Sequence, residues 1–504
     1  MVEQPSLSDL CEQLDLLHHD IIAAGQTDEV LLDAVHPDHR ESALNLLHYL
    51  ALRSVDLRRL QHGLSRWGLS SLGRCEAHVA PTIDLVRSAA RAINGDENFD
   101  VAHAQELHDI GEARLGINSD ALFGPRRYGR ATRVMATLPT ESADDPDFIG
   151  LCAERGSALF RINSAHDDPQ VWQRMISRIR DLPAEHRAMV FIDLAGPKLR
   201  TGPIAVDPKP GRGGKKRRPR IRVNPGQLLI VTSDLTPADP GASEVRIGCT
   251  IASVLDAVRV GQRVYFDDGK FGGPVVDVTT SDSGGREVHV RLADIDQRGA
   301  WLRAEKGINL PDTDLKLPAL TDEDRAVLPF IVEHADGLHF SFVNNAEDIV
   351  QLRDALADLG APDFPIVVKM ETARGFGNLP GILLEVMRSP RIGVMIARGD
   401  LAVEAGWTRM GELQEEIMWL CEAAHIPVIW ATQVLENLAK SGRPSRAEVT
   451  DAALSVRSEC VMLNKGPHIL SAISFLDDML TRMAGHLDKK SPLLRRLRLS
   501  PGPA

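Results

Sequence analysis

Eight short apolar runs, each followed by a helix-length segment or an insertion, constrain the fold more than any other feature of the sequence. They alternate with amphipathic stretches over the second and later quarters of the chain. This count and alternation are typical of an α/β fold in which eight parallel strands and their helices close into a (β/α)8 TIM barrel. The predicted barrel strands are RVMATL (133–138), ALFRIN (158–163), AMVFIDL (188–194), GLHFSFV (337–343), IVVKME (366–371), IGVMIARGD (392–400), VIWATQ (428–433) and CVMLNKG (460–466).

The block that follows the third strand interrupts this alternation. It contains short alternating runs divided by Gly and Asp turns, which are typical of small antiparallel β structures. The runs are IRVNPGQLLIVTS (221–233), VRIGCT (245–250), GQRVYFDDGKFGGPVVDVTT (261–280) and REVHVRLAD (286–294). We predict an inserted small β-barrel domain on the catalytic edge of the main barrel. In that position it would close over the site as a lid and exclude water.

The first 125 residues or so have helical rather than strand-like periodicity, with leucines at helical spacing from Leu46 to Leu64. We predict an N-terminal helical extension packed on the barrel, and a partner-binding module is the alternative. The predicted domains are a helical N-terminal extension (1–128), the catalytic barrel (129–202 and 304–486), the inserted β-barrel lid (203–303) and a basic tail (487–504).

Charge and cysteine usage exclude several classes of protein. The net charge of −12 argues against a nucleic-acid binder, because such proteins need a basic surface to displace counterions from phosphates. The six cysteines are scattered without zinc-like spacing, which fits a reducing compartment. No apolar run reaches the length of a membrane span, and no signal-peptide pattern is present. We expect a soluble cytoplasmic protein that binds neither nucleic acid nor membrane.

Charged residues end two of the predicted strands, and these strands are neighbours in the barrel. Lys369 and Glu371 end the fifth strand, and Asp400 follows the sixth. Since parallel strands present their carboxyl ends at one edge, we expect the three side chains to lie together where such folds carry their chemistry. Two carboxylates beside an ammonium group can hold a divalent cation and an anionic substrate.

Seven segments carry a recognisable pattern in a fixed order along the chain. They are RINSAH (161–166), DLAGPKLRTG (193–202), FDDGK (266–270), EKGINLPDTDLKLPALTDED (305–324), VVKMETARG (367–375), MIARGDLAVE (395–404) and IWATQVLENLAKSGRPSRAEVTDAA (429–453). Taken together, these segments resemble the pyruvate kinase family. This resemblance implies transfer of a phosphoryl group from phosphoenolpyruvate to ADP, giving pyruvate and ATP through an enolate stabilised by Mg²⁺ or Mn²⁺.

The resemblance also implies roles for individual residues. Glu371 and Asp400 match the family's metal ligands, and Lys369 matches the catalytic lysine beside the transferring phosphoryl group. Arg161 matches the family's phosphate-binding arginine. The positions implied to bind substrate are Arg161, Lys369, Gly399, Asp400 and Thr432, of which Arg161, Lys369 and Thr432 are also catalytic, and those implied to line the nucleotide cleft are Asn163, His166 and Arg200.

The sequence departs from the family at its monovalent-cation position. Asn163 and Asp193 remain from the family's four oxygen ligands, but Ala165 and Leu194 replace a serine and a threonine. Lys198 stands where K⁺-dependent members carry a glutamate, and members with lysine there are similar in needing no K⁺. We therefore expect that K⁺ is not required and that the Lys198 ammonium group supplies the replacement charge.

The eighth strand also departs, because Asn464-Lys465-Gly466 replaces the family's Ser-Gly-Glu on the side from which the enolate is protonated. Two outcomes stay open, namely phosphoryl transfer with slower protonation and a different substrate. The chain ends soon after the last barrel helix, so we expect a divergent member without the family's C-terminal regulatory domain. A homo-oligomer that differs from the usual tetramer is also expected.

Two other functions remain as alternatives to the kinase. Related barrels use a metal-bound enolate for aldol cleavage of 2-keto acids, so a metal-dependent aldolase or lyase is one of them. The other is a catalytically impaired homologue that binds ligands and regulates a partner through the helical N-terminus. Fold analogy alone does not separate these functions, and the site residues carry the argument.

Overall fold

The computed structural model describes residues 5–27, 29–96, 101–126, 130–206, 219–281 and 284–492. The predicted boundary at residue 128 and the tail beyond residue 492 lie outside these ranges. The α-helices in chain order are α1 (Leu7–Thr27), α2 (Glu29–Ala34), α3 (Arg40–Arg53), α4 (Arg58–Arg66), α5 (Val79–Ile93), α6 (Ala102–Phe123), α7 (Phe148–Glu154), α8 (Pro169–Arg180), α9 (Asp322–His334), α10 (Ala346–Asp358), α11 (Ala373–Gly377), α12 (Leu379–Val386), α13 (Arg398–Ala405), α14 (Trp407–Ala423), α15 (Glu436–Ser441), α16 (Arg446–Leu454) and α17 (Ile469–Met483).

The strands belong to a barrel, an insertion and a short C-terminal hairpin. In chain order they are β1 (Arg133–Thr137), β2 (Ser157–Asn163), β3 (Met189–Asp193), β4 (Arg220–Val223), β5 (Leu228–Thr232), β6 (Val245–Gly248), β7 (Arg263–Phe266), β8 (Phe271–Thr280), β9 (Arg286–Arg291), β10 (Ala300–Arg303), β11 (Ile308–Asn309), β12 (Gly337–Phe340), β13 (Ile366–Met370), β14 (Ile392–Ala397), β15 (Val428–Ala431), β16 (Cys460–Leu463), β17 (Leu487–Asp488) and β18 (Ser491–Pro492).

Eight parallel strands of the described chain close into a barrel in the order β1-β16-β15-β14-β13-β12-β3-β2. Each of the eight predicted runs overlaps one of them, and β2 begins one residue before its run, so the predicted α/β barrel is confirmed. The strands are buried on both faces, as β13 and β14 are along their whole length. This explains why they read as continuous apolar runs rather than as alternating ones.

The helices between the strands begin at sequence signals of the expected kind. Asn345 caps α10 and exchanges hydrogen bonds with Asp348 in a capping box, and Ser445 and Glu448 do the same at α16. At α8, Asp168 accepts hydrogen bonds from two backbone N–H groups of the first turn. These caps satisfy N–H groups that a helix cannot pair internally, and they set the points where the strand-to-helix loops end.

The insertion after β3 forms two sheets around one apolar core. Six strands pair in the order β11-β7-β8-β9-β5-β6, and β4 pairs with β10. Side chains from both sheets share the core, for example Val223 and Leu302 of the small sheet and Phe266 and Val290 of the large one. The sequence patterns located β4 to β9. They missed β10 and β11, which are four and two residues long and too short to show an alternation.

The N-terminal helices pack on the barrel through buried polar contacts as well as apolar ones. The Asn45 amide on α3 donates to the carbonyl oxygens of Glu76 (2.7 Å) and Ala423 (2.8 Å). His425, in the loop before β15, contacts the Ser42 hydroxyl (2.9 Å) and the Ala77 carbonyl oxygen (2.7 Å). Burial lowers the pKa of His425 to about 4. The imidazole is therefore neutral near pH 7 and joins the two units by hydrogen bonds.

The end of α6 closes the barrel from below. Leu122 and Phe123 are buried against inward-facing barrel residues, and the Phe123 ring meets Phe191 edge to face at 6.1 Å. A Cβ atom on Gly393, near the start of β14, would lie 2.6 Å from Leu122 Cδ2. These contacts lie at the amino ends of the strands, opposite the edge that carries the candidate site. The helical unit thus completes the barrel core.

The described part of the C-terminal tail folds back onto the barrel. Strands β17 and β18 form a hairpin, and its turn residues Lys489 and Lys490 make ion pairs with Glu459 and Glu76. The hairpin therefore contacts both the barrel and the helical unit. None of the described helices has the length and apolar character that a membrane span requires.

We expect Leu122→Ala to destabilise the chain by about 2–5 kcal/mol, because it removes a fully buried side chain from a core that cannot collapse around the gap. The measurement is the urea midpoint followed by circular dichroism. Ile117→Ala on the same helix is the matched control, since Ile117 is 57% exposed and its loss should change stability by no more than about 0.5 kcal/mol. Equal shifts for the two variants would contradict a closing role for the end of α6.

Candidate active site

A cavity of about 850 Å³ opens at the carboxyl ends of the barrel strands. Its walls come from β2, β3, β13, the start of α13 and the loop after β15, and Asp268 from the insertion faces them. The position is the edge where barrels of this kind carry their chemistry. The cavity brings together the residues predicted to act in catalysis, in substrate, metal and nucleotide binding, and at the monovalent-cation position, namely Arg161, Asn163, His166, Asp193, Lys198, Arg200, Lys369, Glu371, Gly399, Asp400 and Thr432.

Asp193, the last residue of β3, is the centre of a buried hydrogen-bond network. Its two carboxylate oxygens accept from Arg161 Nε (2.9 Å) and Arg161 Nη2 (2.6 Å) in a bidentate pair. Oδ2 also accepts from Lys369 Nζ at 3.3 Å, and Oδ1 contacts His339 Nδ1 at 2.6 Å. Three strands therefore converge on one carboxylate that is 2% exposed.

Lys369 connects this network to Glu371. Its ammonium group lies 2.8 Å from Glu371 Oε1 and donates to the Ser341 hydroxyl at 2.8 Å. The second Glu371 oxygen accepts from the backbone N–H of Phe342 at 2.7 Å, so the carboxylate is held from both sides. Ser341 in turn donates to the Leu194 carbonyl oxygen. Lys369 is thus oriented by three acceptors on three different strand ends.

The charges in this network keep the buried groups ionised. Burial alone would raise the pKa of Asp193, but the neighbouring Arg161 and Lys369 charges hold it well below its usual value. Burial would likewise lower the pKa of Lys369, and Glu371 and Asp193 raise it instead. For His339, burial outweighs Asp193 and lowers the pKa, so a neutral imidazole donates from Nδ1 to the carboxylate.

A second lysine holds the other carboxylate of the site. Lys198 Nζ lies 3.0 and 3.1 Å from the two Asp400 oxygens, and this partner raises the lysine pKa against the effect of burial. Lys198 therefore lies on the Asp400 side of the cavity, whereas Arg161, Lys369 and His339 contact Asp193. Arg161, Lys369 and Lys198 are thus each paired with at least one of the carboxylates of Asp193, Glu371 and Asp400.

Glu371 and Asp400 are the pair that could hold a divalent cation. Both carboxylates face the same cavity, and a hard ion such as Mg²⁺ prefers oxygen ligands. In the described chain no three His, Cys, Asp or Glu side chains gather into a metal site. A pair of carboxylates nevertheless fits Mg²⁺, which often binds one or two of them and completes its octahedron with water and substrate oxygens.

The Gly399 backbone lies close to the Thr432 side chain in the cavity wall. A Cβ atom on Gly399 would lie 2.7 Å from Thr432 Cγ2, so this turn accepts only glycine without rearrangement. Thr432 and Gln433 adopt left-handed conformations with φ of 69° and 60°. Arg398 holds the strained segment by donating to the Thr432 carbonyl oxygen at 2.8 Å. Strain maintained by surrounding contacts is typical of functional sites.

The opposite side of the cavity lies toward the insertion. Arg200 is at the junction between barrel and insertion, where its backbone N–H donates to the Thr250 hydroxyl at 3.0 Å. The pKa of His166 is lowered by burial and by the charges of Lys465 and Arg200. Lys465 is exposed and does not line the cavity, whereas Asn464 does. The changed eighth strand thus contributes a neutral amide to the site.

Sequence reasoning missed four residues of this site. His339 and Ser341 lie two apart in GLHFSFV, so they share a face of the strand, and two polar residues on one face of a buried strand were the available signal. Asp268 and Arg398 stand inside the FDDGK and ARGD motifs, but they received no role. The partners of Arg398 include Thr432 and Asp451, which lie 34 and 53 residues further along the chain, and periodicity does not reveal such contacts.

A family model described as the pyruvate kinase barrel domain matches residues 129–467, a range that includes all eight barrel strands and the insertion and ends before α17. The chain belongs to the pyruvate kinase family. This agrees with the resemblance of the seven segments, and it covers all the strand ends that form the cavity.

Curated pyruvate kinases match the chain at moderate identity. The pyruvate kinase of Hypocrea jecorina is 30% identical over 368 residues, which cover 72% of this chain and 63% of the fungal protein. The pyruvate kinase of Leishmania mexicana is 31% identical, covering 68% and 64%. That of Thermotoga maritima is 27% identical, covering 73% of each chain. The chain thus spans less than two thirds of the first two proteins.

We expect Asp193→Asn to destabilise the chain by about 3–5 kcal/mol, because it leaves the Arg161 and Lys369 cations buried without their carboxylate. The urea midpoint at pH 7 measures this. Asp358→Asn, at the exposed end of α10, is the control and should leave the midpoint almost unchanged. If Asp193→Asn unfolds at the wild-type midpoint, the network does not depend on its central charge.

Glu404 adds a titrating group beside the site. Burial raises its pKa to about 7, against the hydrogen bond from Asn309 (2.9 Å), and the charges of Asp400 and Asp312 contribute to the rise. The folded chain therefore holds a proton between about pH 4.5 and 7 that the unfolded chain releases. At low pH this group therefore does not destabilise the folded state. The free energy of unfolding falls as the pH rises through that window, because the unfolded chain releases the proton first.

We expect Glu404→Gln to remove this loss, because glutamine keeps the acceptor for Asn309 and cannot ionise. The wild-type urea midpoint should fall relative to that of the variant between pH 5 and pH 8, by the equivalent of about 1–3 kcal/mol. Measurement of both midpoints across this range, without divalent cations, provides the test. Parallel curves for the two proteins would show that Glu404 ionises with an ordinary pKa.

Proposed function

We propose that the chain is a pyruvate kinase-type phosphotransferase that converts phosphoenolpyruvate and ADP to pyruvate and ATP with Mg²⁺ or Mn²⁺. The observation that carries the proposal is the position of Lys369. Its ammonium group lies between Asp193 and Glu371, on the wall of a cavity that also holds Arg161 and Asp400. A buried cation in this position suits a reaction in which negative charge develops on phosphoryl oxygens.

Arg161 and Lys369 are the groups proposed to bind the phosphoryl group. Two of the five guanidinium N–H donors of Arg161 bind Asp193 and one reaches Thr137 (3.2 Å), which leaves two for an anion. Lys369 adds a positive point charge on the same wall. Since both cations are already oriented by buried partners, little reorganisation is needed when charge spreads over the transferring group.

The Gly399 turn and Thr432 are proposed to hold the substrate carboxylate. Helix α13 begins at Arg398, so the N–H groups of its first turn have no partner within the helix. Such groups stabilise an anion through hydrogen bonds and the helix dipole. Because Gly399 lacks a side chain, a carboxylate can approach this backbone closely, and the Thr432 hydroxyl lies on the same floor of the cavity.

Glu371 and Asp400 would hold the divalent cation. When bound, the metal would supply Lewis-acid stabilisation for negative charge on the substrate oxygens. Lys369 Nζ lies 2.8 Å from Glu371 and Lys198 Nζ lies 3.0 Å from Asp400, so each of the two proposed ligands has a lysine beside it. Both ammonium groups are therefore close enough to the proposed metal ligands to attract a phosphoryl group bound there.

We infer that turnover does not require K⁺. Asp193 already has four hydrogen-bond contacts, and the Asn163 side-chain oxygen accepts from the Ala165 N–H at 3.1 Å. Ala165 and the Leu194 side chain offer no oxygen. The two retained positions are thus engaged by protein donors, which leaves little reason for a monovalent cation to bind there. Lys198 contributes its fixed charge on the Asp400 side.

A nucleotide is proposed to enter between His166, Asn163 and Arg200. These residues line the same cavity as Lys369 and face the insertion, which would act as the lid. This arrangement favours the kinase over a 2-keto acid lyase, because a lyase needs no second site for a nucleotide. Thermal protection by ADP would distinguish them, since a ligand that binds only the native state raises the unfolding temperature. The cytoplasmic location, a homo-oligomer and the absence of nucleic-acid and membrane partners remain predictions from the sequence.

The decisive experiment is ATP formation from phosphoenolpyruvate and ADP with Mg²⁺, with and without K⁺. We expect turnover in both conditions, and a loss of about 100-fold or more in Lys369→Met and in Glu371→Gln, because each removes a charge aimed at the reacting groups. Lys440→Met, on the exposed face of α15, is the matched control and should retain wild-type activity. Absence of turnover in the folded wild-type protein would reject the proposal.

A further inference from the structure

His339 is a buried histidine for which the proposed reaction has so far no use. It is fully buried on β12, its Nδ1 atom lies 2.6 Å from Asp193 Oδ1, and its ring stacks on Phe191 at 5.3 Å with the two planes 12° apart. It does not line the cavity, so it cannot touch a substrate there. Any influence on the reaction must pass through Asp193.

Asp193 binds three partners of two different kinds. Arg161 and Lys369 face the cavity, and under the proposed function they also bind the incoming phosphoryl group. The His339 imidazole is behind the carboxylate and has no other hydrogen-bond partner among the described residues, since its Nε2 atom is buried without one. If Arg161 and Lys369 shift toward a bound phosphoryl group, His339 still donates its hydrogen bond to Asp193.

The buried Asp193 carboxylate competes with the phosphoryl group of the substrate for the Arg161 and Lys369 cations. An Asp193 that lost its imidazole donor would be short of one hydrogen bond in a water-poor site, and such a shortfall is costly. Its remaining oxygens would hold Arg161 and Lys369 more tightly. The phosphoryl group would then have to take both cations from a stronger competitor, whereas a ligand without a phosphoryl group would not be affected.

We propose that His339 is a positioning residue that holds Asp193 from behind, so that Arg161 and Lys369 can be shared with the phosphoryl group of the substrate. The inference rests on the proposed function and deepens it. The stacked Phe191 ring keeps the imidazole in the plane that points Nδ1 at the carboxylate. His339 thereby sets the affinity of the site for phosphoryl-bearing ligands, although it contacts none of them.

The test compares two ligands that share the carboxylate and differ in the phosphoryl group. Isothermal titration calorimetry with Mg²⁺ measures the dissociation constants of phosphoenolpyruvate and of oxalate, a dicarboxylate that lacks phosphorus. The variants are His339→Leu, which removes the donor at similar volume, and His339→Asn, whose amide keeps an N–H near the position of Nδ1. His425→Leu is the matched control, because the His425 imidazole is also buried and hydrogen-bonded but contacts Ser42 and Ala77 of the helical unit instead of Asp193.

His339→Leu should raise the dissociation constant of phosphoenolpyruvate about 10-fold, which corresponds to the loss of one hydrogen bond to a charged group. The dissociation constant of oxalate should rise by less than about 2-fold. His339→Asn should recover most of the lost affinity. His425→Leu should lower the unfolding temperature and leave both dissociation constants unchanged.

Two results would overturn the inference while leaving the proposed function intact. One is a His339→Leu protein that binds both ligands as the wild type does. The other is a His339→Leu protein whose affinity for both ligands falls by the same factor, since this would indicate a general packing role for His339. A wild-type protein that binds oxalate but not phosphoenolpyruvate would reject the proposed function itself, and the inference with it.

Discussion

Asp193 is buried at the end of β3 with both oxygens engaged, and the geometry of the site depends on this carboxylate. A buried charge is tolerated only when opposite charges and donors surround it, so Arg161, Lys369 and His339 have to converge there. Each of the three comes from a different strand. Because strand register fixes where each side chain projects, the closed barrel also brings these three side chains together around Asp193.

The helical N-terminal unit packs against the barrel at the end opposite the site. Leu122 and Phe123 fill the barrel where the strands begin, and Phe191 receives Phe123 on its edge while it stacks on His339. A continuous chain of packed rings therefore runs from the helical unit to the donor that holds Asp193. The extension therefore packs against the same ring that stacks on the donor of Asp193.

Much of the fold and of the site was predictable from the sequence. The barrel strands are buried on both faces, and such strands appear as uninterrupted apolar runs that local reading detects. Lys369, Glu371 and Asp400 were recognised because each follows such a run. Strands β10 and β11 were not predicted, since strands of four and two residues are too short to show an alternation of apolar and polar residues. The leucine stripe from Leu46 to Leu64 gave no sign that two helices, α3 and α4, share it.

The sequence by itself determined the α/β barrel, the order of its strands, the site of the insertion and the charged residues at the strand ends, because all of these follow from patterns within a few neighbouring residues. Only the tertiary structure decided the partners. Lys198 binds Asp400 across 202 positions of sequence, and His339 binds Asp193 across 146. Contacts at such separations depend on how the closed barrel aligns its strand ends, and no local pattern carries that information.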